Sequence, residues 1–370
     1  MDDYNPLDEY PENGSCREEE WFGKHLIIVN RAKDVSITGP GTVDGNGGAF
    51  FCEPRVLNWT NAWREGLRLA ADKEKRRPGQ LIVFILSEDV RVSDLAIRNT
   101  PCWSIFFHGC VNVQVRGLNV RNGRADANTD GLDIDCCRNV TVSGCVIDTG
   151  DDAIAIRGDE AKLPAPKACE NVVVSDCVLA SSSSGLRIGV GTGTIRNVEL
   201  SNLIVSRAGT GVTVQSSFTQ GKPVGVDISF VRIHHCSFLE CGVLFSICPG
   251  DAGAEASIHD ISFQDCRFEG FGSGLVAGSG THRPENISFR DCDFVMTANP
   301  DPARFEVGTD FLRVDGSDFV SFRSCRVRNE AGPDDPRRII LAAQSSPGLC
   351  VEACNFSETG IGDGNGGAEA

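Results

Sequence analysis

The sequence predicts an all-β chain, wound as a single-domain parallel β-helix (a β-solenoid) of about ten coils. Three observations carry that expectation. A pattern of four apolar positions recurs along the chain, each copy alternates like a strand, and the spacing between copies fits one turn of a solenoid. The pattern is clearest at Val140, Val142, Cys145 and Ile147. Its third position recurs ten times, at Leu95, Leu118, Cys145, Cys177, Leu203, Cys236, Cys266, Cys292, Cys325 and Cys354, 23 to 33 residues apart. The alternations are too short for helices and rich in Val, Ile and Phe, so each copy reads as two or three strands and turns. Coils of that kind stack at about 4.8 Å, and equivalent inward side chains form ladders.

The elements follow in order. Residues 1–25 read as an N-terminal arm or cap, and Lys33-Asp34-Val35-Ser36-Ile37 opens the first strand. Residues 58–80, with Lys73, Lys75, Arg76, Arg77 and Pro78, read as an excursion from the coils. The β-helix domain spans 26–357, and 358–370, ending Gly-Asp-Gly-Asn-Gly-Gly-Ala-Glu-Ala, reads as a flexible tail. A length of 370 residues would ordinarily suggest two domains. A solenoid grows by stacking instead, so no internal boundary is expected. Seven of the 17 cysteines occupy the third repeat position, and no C-x-x-C spacing occurs. They are expected to be small apolar fillers in one ladder rather than disulfides or metal ligands.

Charge narrows the function. The formal net charge of −16 argues against nucleic-acid binding, which needs basic patches. An anionic substrate would have to be met by locally concentrated cations. No apolar run reaches the 18 or so residues of a membrane span, so no membrane partner is expected. The start, Met1-Asp2-Asp3-Tyr4-Asn5-Pro6, lacks a basic and an apolar signal region. The expectation is a cytoplasmic protein or an exported one with a trimmed N-terminus.

One outer face concentrates the chemistry. Aligning inward pairs puts Leu132 and Ile134 beside Ile154 and Ile156 on the next coil, and Leu186 and Ile188 on the one after. Asp130 and Asp152 each precede an inward pair by two residues and should sit on adjacent coils, with Asp151 beside them. Ser184 falls in the same register with Arg187 outward next to it, Arg157 lies just past its own inward pair, and His108 shares Arg157's register two coils earlier. Asn128 stands at the turn before Asp130. Three crowded carboxylates repel, so at least one pKa should be raised. That suits glycoside hydrolysis, in which one carboxyl donates a proton and another activates water. Spacing alone leaves a calcium site and a solvated acidic turn open as well.

At these residues the chain resembles glycoside hydrolase family 28, the polygalacturonases and their bacterial relatives. The stretches are Asn128-Thr129-Asp130-Gly131, Gly150-Asp151-Asp152-Ala153-Ile154-Ala155-Ile156, Ile37-Thr38-Gly39-Pro40-Gly41-Thr42-Val43-Asp44-Gly45 and Ile97-Arg98-Asn99-Thr100-Pro101-Cys102-Trp103. The resemblance runs from about residue 25 to at least 215. It implies a right-handed parallel β-helix and inverting hydrolysis of a pectin-type or related poly- or oligosaccharide without cofactor or metal. Asp151 is then the general acid, and Asp130 and Asp152 hold and activate the water. Asn128, Arg157, Ser184, Arg187 and His108 are the expected substrate-binding residues. Two departures bear on the substrate. Where polygalacturonases carry Gly-His-Gly this chain has Ser183-Ser184-Gly185, and where they carry Arg-Ile-Lys it has Thr213-Val214-Gln215. A neutral or mixed glycan, cleaved or transferred, and a non-catalytic glycan-binding β-helix are the alternatives.

Overall fold

The structure is a computed structural model that describes residues 5–6, 24–50, 78–126, 128–160, 163–217, 225–250, 256–279, 282–300, 307–332, 335, 337, 342–344 and 346–355. The expected arm over 1–25, excursion over 58–80 and tail over 358–370 lie wholly or largely outside those residues.

Period-2 alternation in this chain produces two long parallel sheets, of eleven and nineteen strands. The eleven-stranded sheet contributes one strand per coil and stacks Ile27–Asn30, Ile82–Ile85, Ile105–His108, Leu132–Asp135, Ile154–Gly158, Ser184–Gly191, Thr210–Ser217, Val243–Gly250, Gly274–Ala277, Leu312–Asp315 and Ala342–Gln344. One coil shows the path. The chain leaves Leu132–Asp135, enters the larger sheet as Arg138–Ser143, bends at Gly144 and Cys145, and continues as Val146–Thr149. It then turns through residues 150–153 back into the smaller sheet at Ile154. The parallel β-solenoid read from the repeat is the fold observed. An eleventh copy escaped the pattern because the strand Lys33–Asp44 carries a bulge between Thr38 and Gly41, which shifts Val43 by one residue.

The inward positions form one core. Leu132, Ile134, Val140, Val142, Cys145 and Ile147 are essentially inaccessible to solvent. Of the ladder cysteines, Cys145, Cys177, Cys236, Cys266, Cys292 and Cys325 are buried and Cys354 is half-buried, and all are free thiols. Their sulfurs do a second job at the bend: Cys145 Sγ donates to the Ser143 carbonyl at 3.4 Å and Cys236 Sγ to that of His234 at 3.2 Å. Toward the C-terminal end the aliphatic ladders give way to phenylalanine stacks. Phe238, Phe268 and Phe294 follow one another with ring centroids 4.9 and 5.2 Å apart, and Phe263, Phe289 and Phe322 at 4.8 and 4.7 Å. Ring spacing near the rung spacing lets identical aromatics pack face to face.

Two corners of most coils place a residue in the left-handed region. The first lies just before the first apolar position, at Asp89, Asn112, Asn139, Asn171, Asn197, Phe230, Asp260, Asn286 and Phe319. Asn is the favoured non-glycine residue there. Its side chain also bonds the next rung: Asn112 to Asp89 at 2.9 Å, Asn139 to Asn112 at 3.0 Å, Asn171 to Asn139 at 3.0 Å and Asn197 to Asn171 at 3.3 Å.

Candidate active site

The observed register matches the alignment of inward pairs. Leu132 pairs with Ile154 and Ile154 with Leu186, so the turns ahead of these strands stack directly. Gly131 N–H donates to the Asp152 carbonyl at 2.9 Å and Ala153 N–H to that of Ser184 at 2.9 Å. Two glycines permit this stacking. A Cβ on Gly150 would lie 2.1 Å from the Asp126 carbonyl oxygen, and one on Gly131 would lie 2.4 Å from that of Ala153. Hydroxyls pin the backbone as well: Thr149 and Ser181 both donate to the Asp151 carbonyl, at 2.7 and 2.6 Å. Asn122, in the same turn as Thr129, donates through Nδ2 to the Thr129 carbonyl at 3.0 Å and accepts at Oδ1 from the N–H of Thr100 on the preceding coil at 3.0 Å.

Asp130, Asp151 and Asp152 converge. One carboxylate oxygen from each lies within 4.8 Å of the other two. All three side chains are buried. Their surroundings nonetheless differ. Asp151 accepts from the N–H of Asn128 and from that of Asp152, each at 3.0 Å. Burial, then the charge of Asp152, pushes its carboxyl up to about 7, against the opposing pull of Arg187 and the Asn128 N–H. Asp152 feels a burial penalty too. The Arg187 guanidinium, the Ser184 N–H at 3.0 Å and the Ser183 hydroxyl at 2.9 Å outweigh it and hold Asp152 below the usual carboxylate range. Asp130 is pushed well above that range by burial, then by Asp151, Asp133 and Asp152, and its Oδ1 has no hydrogen-bond partner among the described residues.

The other expected residues are placed as follows. Arg187 Nε donates to Asp152 Oδ2, and its Nη2 lies 3.5 Å from Oδ1. Its guanidinium therefore serves a protein carboxylate. Ser184 Oγ shares a 2.9 Å hydrogen bond with Thr213 Oγ1. Asn128, at φ 53°, contributes its backbone N–H to Asp151. His108 and Arg157 lie in one row on either side of Asp135, with His108 Nδ1 3.3 Å and Arg157 Nε 3.9 Å from Asp135 Oδ2. The Arg157 guanidinium sits over the Trp103 ring, 4.9 Å from its centroid. Trp103 is itself 3% exposed and packs against Phe106, which leaves its faces to protein neighbours. Thr213 pairs with Arg187 in register and Gln215 with Gly189; Gln215 Nε2 donates to the Ser217 carbonyl at 2.9 Å.

Sequence reasoning missed Ser183, Asn122 and Asp133. Asp133 lies between inward Leu132 and Ile134, so period-2 alternation already places it on the outer face. It is fully buried, neither carboxylate oxygen has a hydrogen-bond partner among the described residues, and burial drives its pKa well up despite Arg157. The triad also offers three oxygens to a divalent cation. Arg187 works against that use by placing a positive charge on Asp152.

The site is thus three buried carboxylates on two adjacent turns of a parallel β-solenoid. Comparison with known proteins makes this specific. The model of glycosyl hydrolases family 28 matches residues 13–167. A probable polygalacturonase of Vitis vinifera is 26% identical over 202 residues, 53% of this chain and 38% of that protein. An endo-polygalacturonase of Pectobacterium carotovorum subsp. carotovorum is 24% identical over 286 residues, 75% of this chain and 67% of that one. The family 28 exopolygalacturonase structure from Yersinia enterocolitica superposes with a TM-score of 0.66 at 16% identity, covering 93% of this chain and 66% of that one. Over residues 13–167 the chain is therefore polygalacturonase-like, matching the glycoside hydrolase family 28 model, and it is distantly similar to bacterial and plant polygalacturonases. It spans less than two fifths of the length of the first plant relatives it matches.

Proposed function

We propose that this protein hydrolyses an O-glycosidic bond in a pectin-type or related poly- or oligosaccharide, with Asp151 as general acid. The observation that carries the reading is the contrast between neighbours. Asp151 and Asp152 are both buried, yet one is raised to about 7 and the other lowered. A site that holds one carboxyl protonated and another ionised has what acid–base cleavage requires. Asp151 would protonate the leaving oxygen, Asp152 would take the proton of the attacking water, and Asp130 would hold that water through Oδ1.

The stereochemistry rests on the resemblance to family 28, which implies inversion. Carboxylate spacing points the other way: oxygens within 4.8 Å are closer than the roughly 6.5–9.5 Å of ordinary inverting pairs. Inversion here needs the water held by Asp130 and Asp152 on the ring face opposite the oxygen that Asp151 protonates. Proton NMR of the first-formed anomer separates the two, inversion being the expected result.

At the cleaved bond the reading favours a neutral or mixed ring over galacturonate. The two arginines nearest the triad face protein groups, Arg187 on Asp152 and Arg157 on Trp103 and Asp135. Thr213 and Gln215 stand where the family resemblance would place cations. Reducing-sugar release from polygalacturonate, rhamnogalacturonan and a set of neutral glycans, with Asp151→Asn as control, tests both points. Release greater from a neutral or mixed glycan than from polygalacturonate, and abolished in the variant, is expected. Full activity of the variant, or silence on every glycan, contradicts the proposal.

A further inference from the structure

The left-handed corner that carries the asparagine ladder is interrupted twice, at Phe230 and Phe319. Both hold φ near +54° and expose their rings, at 55% and 59%. A bulky residue in this region is an outlier that the fold must accommodate. Nothing in the coil calls for it, since Asn112, Asn139, Asn171, Asn197 and Asn286 make the same corner and hydrogen-bond along the ladder as well. Strain combined with exposed apolar surface points to a use outside the fold.

What lies between the two rings shows which use. Phe230, Asp260, Asn286 and Phe319 occupy successive rungs, because their strands pair in sequence. Three rungs set the phenylalanines about 14 Å apart. A recess of about 400 Å³ opens on these rungs, lined by His259, Asp260, Glu285, Asn286 and Phe319. Phe230 stands beside it, its ring near-perpendicular to that of His259 with centroids 6.0 Å apart. His259 Nδ1 is bonded to Asp260 Oδ2 at 2.7 Å, and Asn286 Nδ2 donates to Asp260 Oδ1. The face therefore offers two aromatic plates flanking carboxylate, amide and imidazole groups.

We propose that this recess is a glycan-binding surface for a neutral polysaccharide, separate from the acidic triad. Aromatic faces stack on the C–H faces of sugar rings, and the carboxylates and amide hydrogen-bond hydroxyls. A gap of about 14 Å is the length of a few sugar rings along an extended chain. Asp260 and Glu285 in the lining, on a chain of net charge −16, repel a polyuronate. A surface of this kind would hold the polymer on the same β-helix as the triad and raise its local concentration there.

The test is native affinity electrophoresis through gels containing arabinan, galactan, xylan or polygalacturonate. Asp151→Asn protein serves as the parent, so that cleavage does not erode the gel. Phe230→Asn and Phe319→Asn restore the ladder residue, so the double variant is expected to keep or raise the melting temperature. Retardation of the parent by at least one neutral glycan, weakened at least five-fold in the double variant and without matching retardation by polygalacturonate, is the expected result. No retardation by any neutral glycan overturns the proposal, as does retardation that the double variant leaves intact. Self-association lost in the double variant without glycan retardation also overturns it, making the face an interface between copies. Activity of the double variant on short oligosaccharides, with Asp151 restored, should be unchanged, which keeps this result distinct from failure of the hydrolase reading.

Discussion

The asparagine ladder and the acidic face are both rows of polar side chains stacked coil upon coil, and they behave in opposite ways. Along the ladder each Asn donates to its counterpart one rung away, so the repeat satisfies itself. On the acidic face the repeat brings together groups that cannot satisfy one another. Asp130 and Asp151 carry raised pKa values, and Asp152 is held down only by Arg187, Ser183 and the Ser184 N–H. A repeat that closes its own hydrogen bonds builds structure, whereas one that stacks like charges stores free energy at a site. Chemistry is expected where the ladder rule fails.

The largest test of that contrast is Asp151→Asn. Initial rates on whichever glycan is cleaved should fall by a factor on the order of 10³ or more, as loss of a general acid implies. Stability should move the other way. A folded pKa near 7 means that the native state holds a proton the unfolded chain releases near pH 3.8, so Asp151 costs stability as pH rises from about 4 to 7. The variant should melt above the wild type at pH 7 and no higher than it near pH 4, by scanning calorimetry. An equal shift at both pH values would contradict the assignment.

Arg187→Gln comes next. Its charge lowers both Asp151 and Asp152, so removing it raises both carboxyls. The whole pH–rate profile should move to higher pH, with kcat reduced about 10- to 100-fold. A merely structural arginine would lower activity without moving the profile. The stability that Asp152 gains from its depressed pKa is present above about pH 3.8 and lost as pH falls through its folded value. Acid unfolding of the variant should therefore show less of that low-pH loss.

The smallest effect is expected on the ladder. Asn139→Ala removes the hydrogen bonds to Asn112 and from Asn171 and leaves a Cβ residue at φ 60°. About 1–3 kcal/mol of stability should be lost, independent of pH, with catalytic rates unchanged. A pH-dependent loss or a change in rate would erase the distinction between the two rows.

Much of this architecture was legible in the sequence because period-2 alternation fixes which side chains face inward. Aligning Leu132 and Ile134 with Ile154 and Ile156 brought Asp130, Asp151 and Asp152 together, as the paired strands do. The same rule places Asp133 outward, but its complete burial depends on neighbouring coils. The partners of the arginines were not legible. Outward direction follows from register, whereas the choice of Arg187 between substrate and Asp152 is a matter of side-chain torsion. Arg157 likewise turned to Trp103, a contact set by two coils at once. The ladder was visible but unread: an Asn stands immediately before the first apolar position at Val113, Val140, Val172 and Val198. Its meaning lies in a left-handed backbone that the apolar spacing does not report.

The central claim is that two adjacent, buried carboxyls titrate far apart. NMR of protein labelled with ¹³C at the aspartate side-chain carboxyl measures it without a substrate, with Asp151→Asn and Asp152→Asn supplying the assignments. A resonance titrating near pH 7 that vanishes in the first variant is expected, together with one titrating below the ordinary carboxylate range that vanishes in the second. If both residues titrate together near pH 4, the site holds no proton for the leaving oxygen and the account fails.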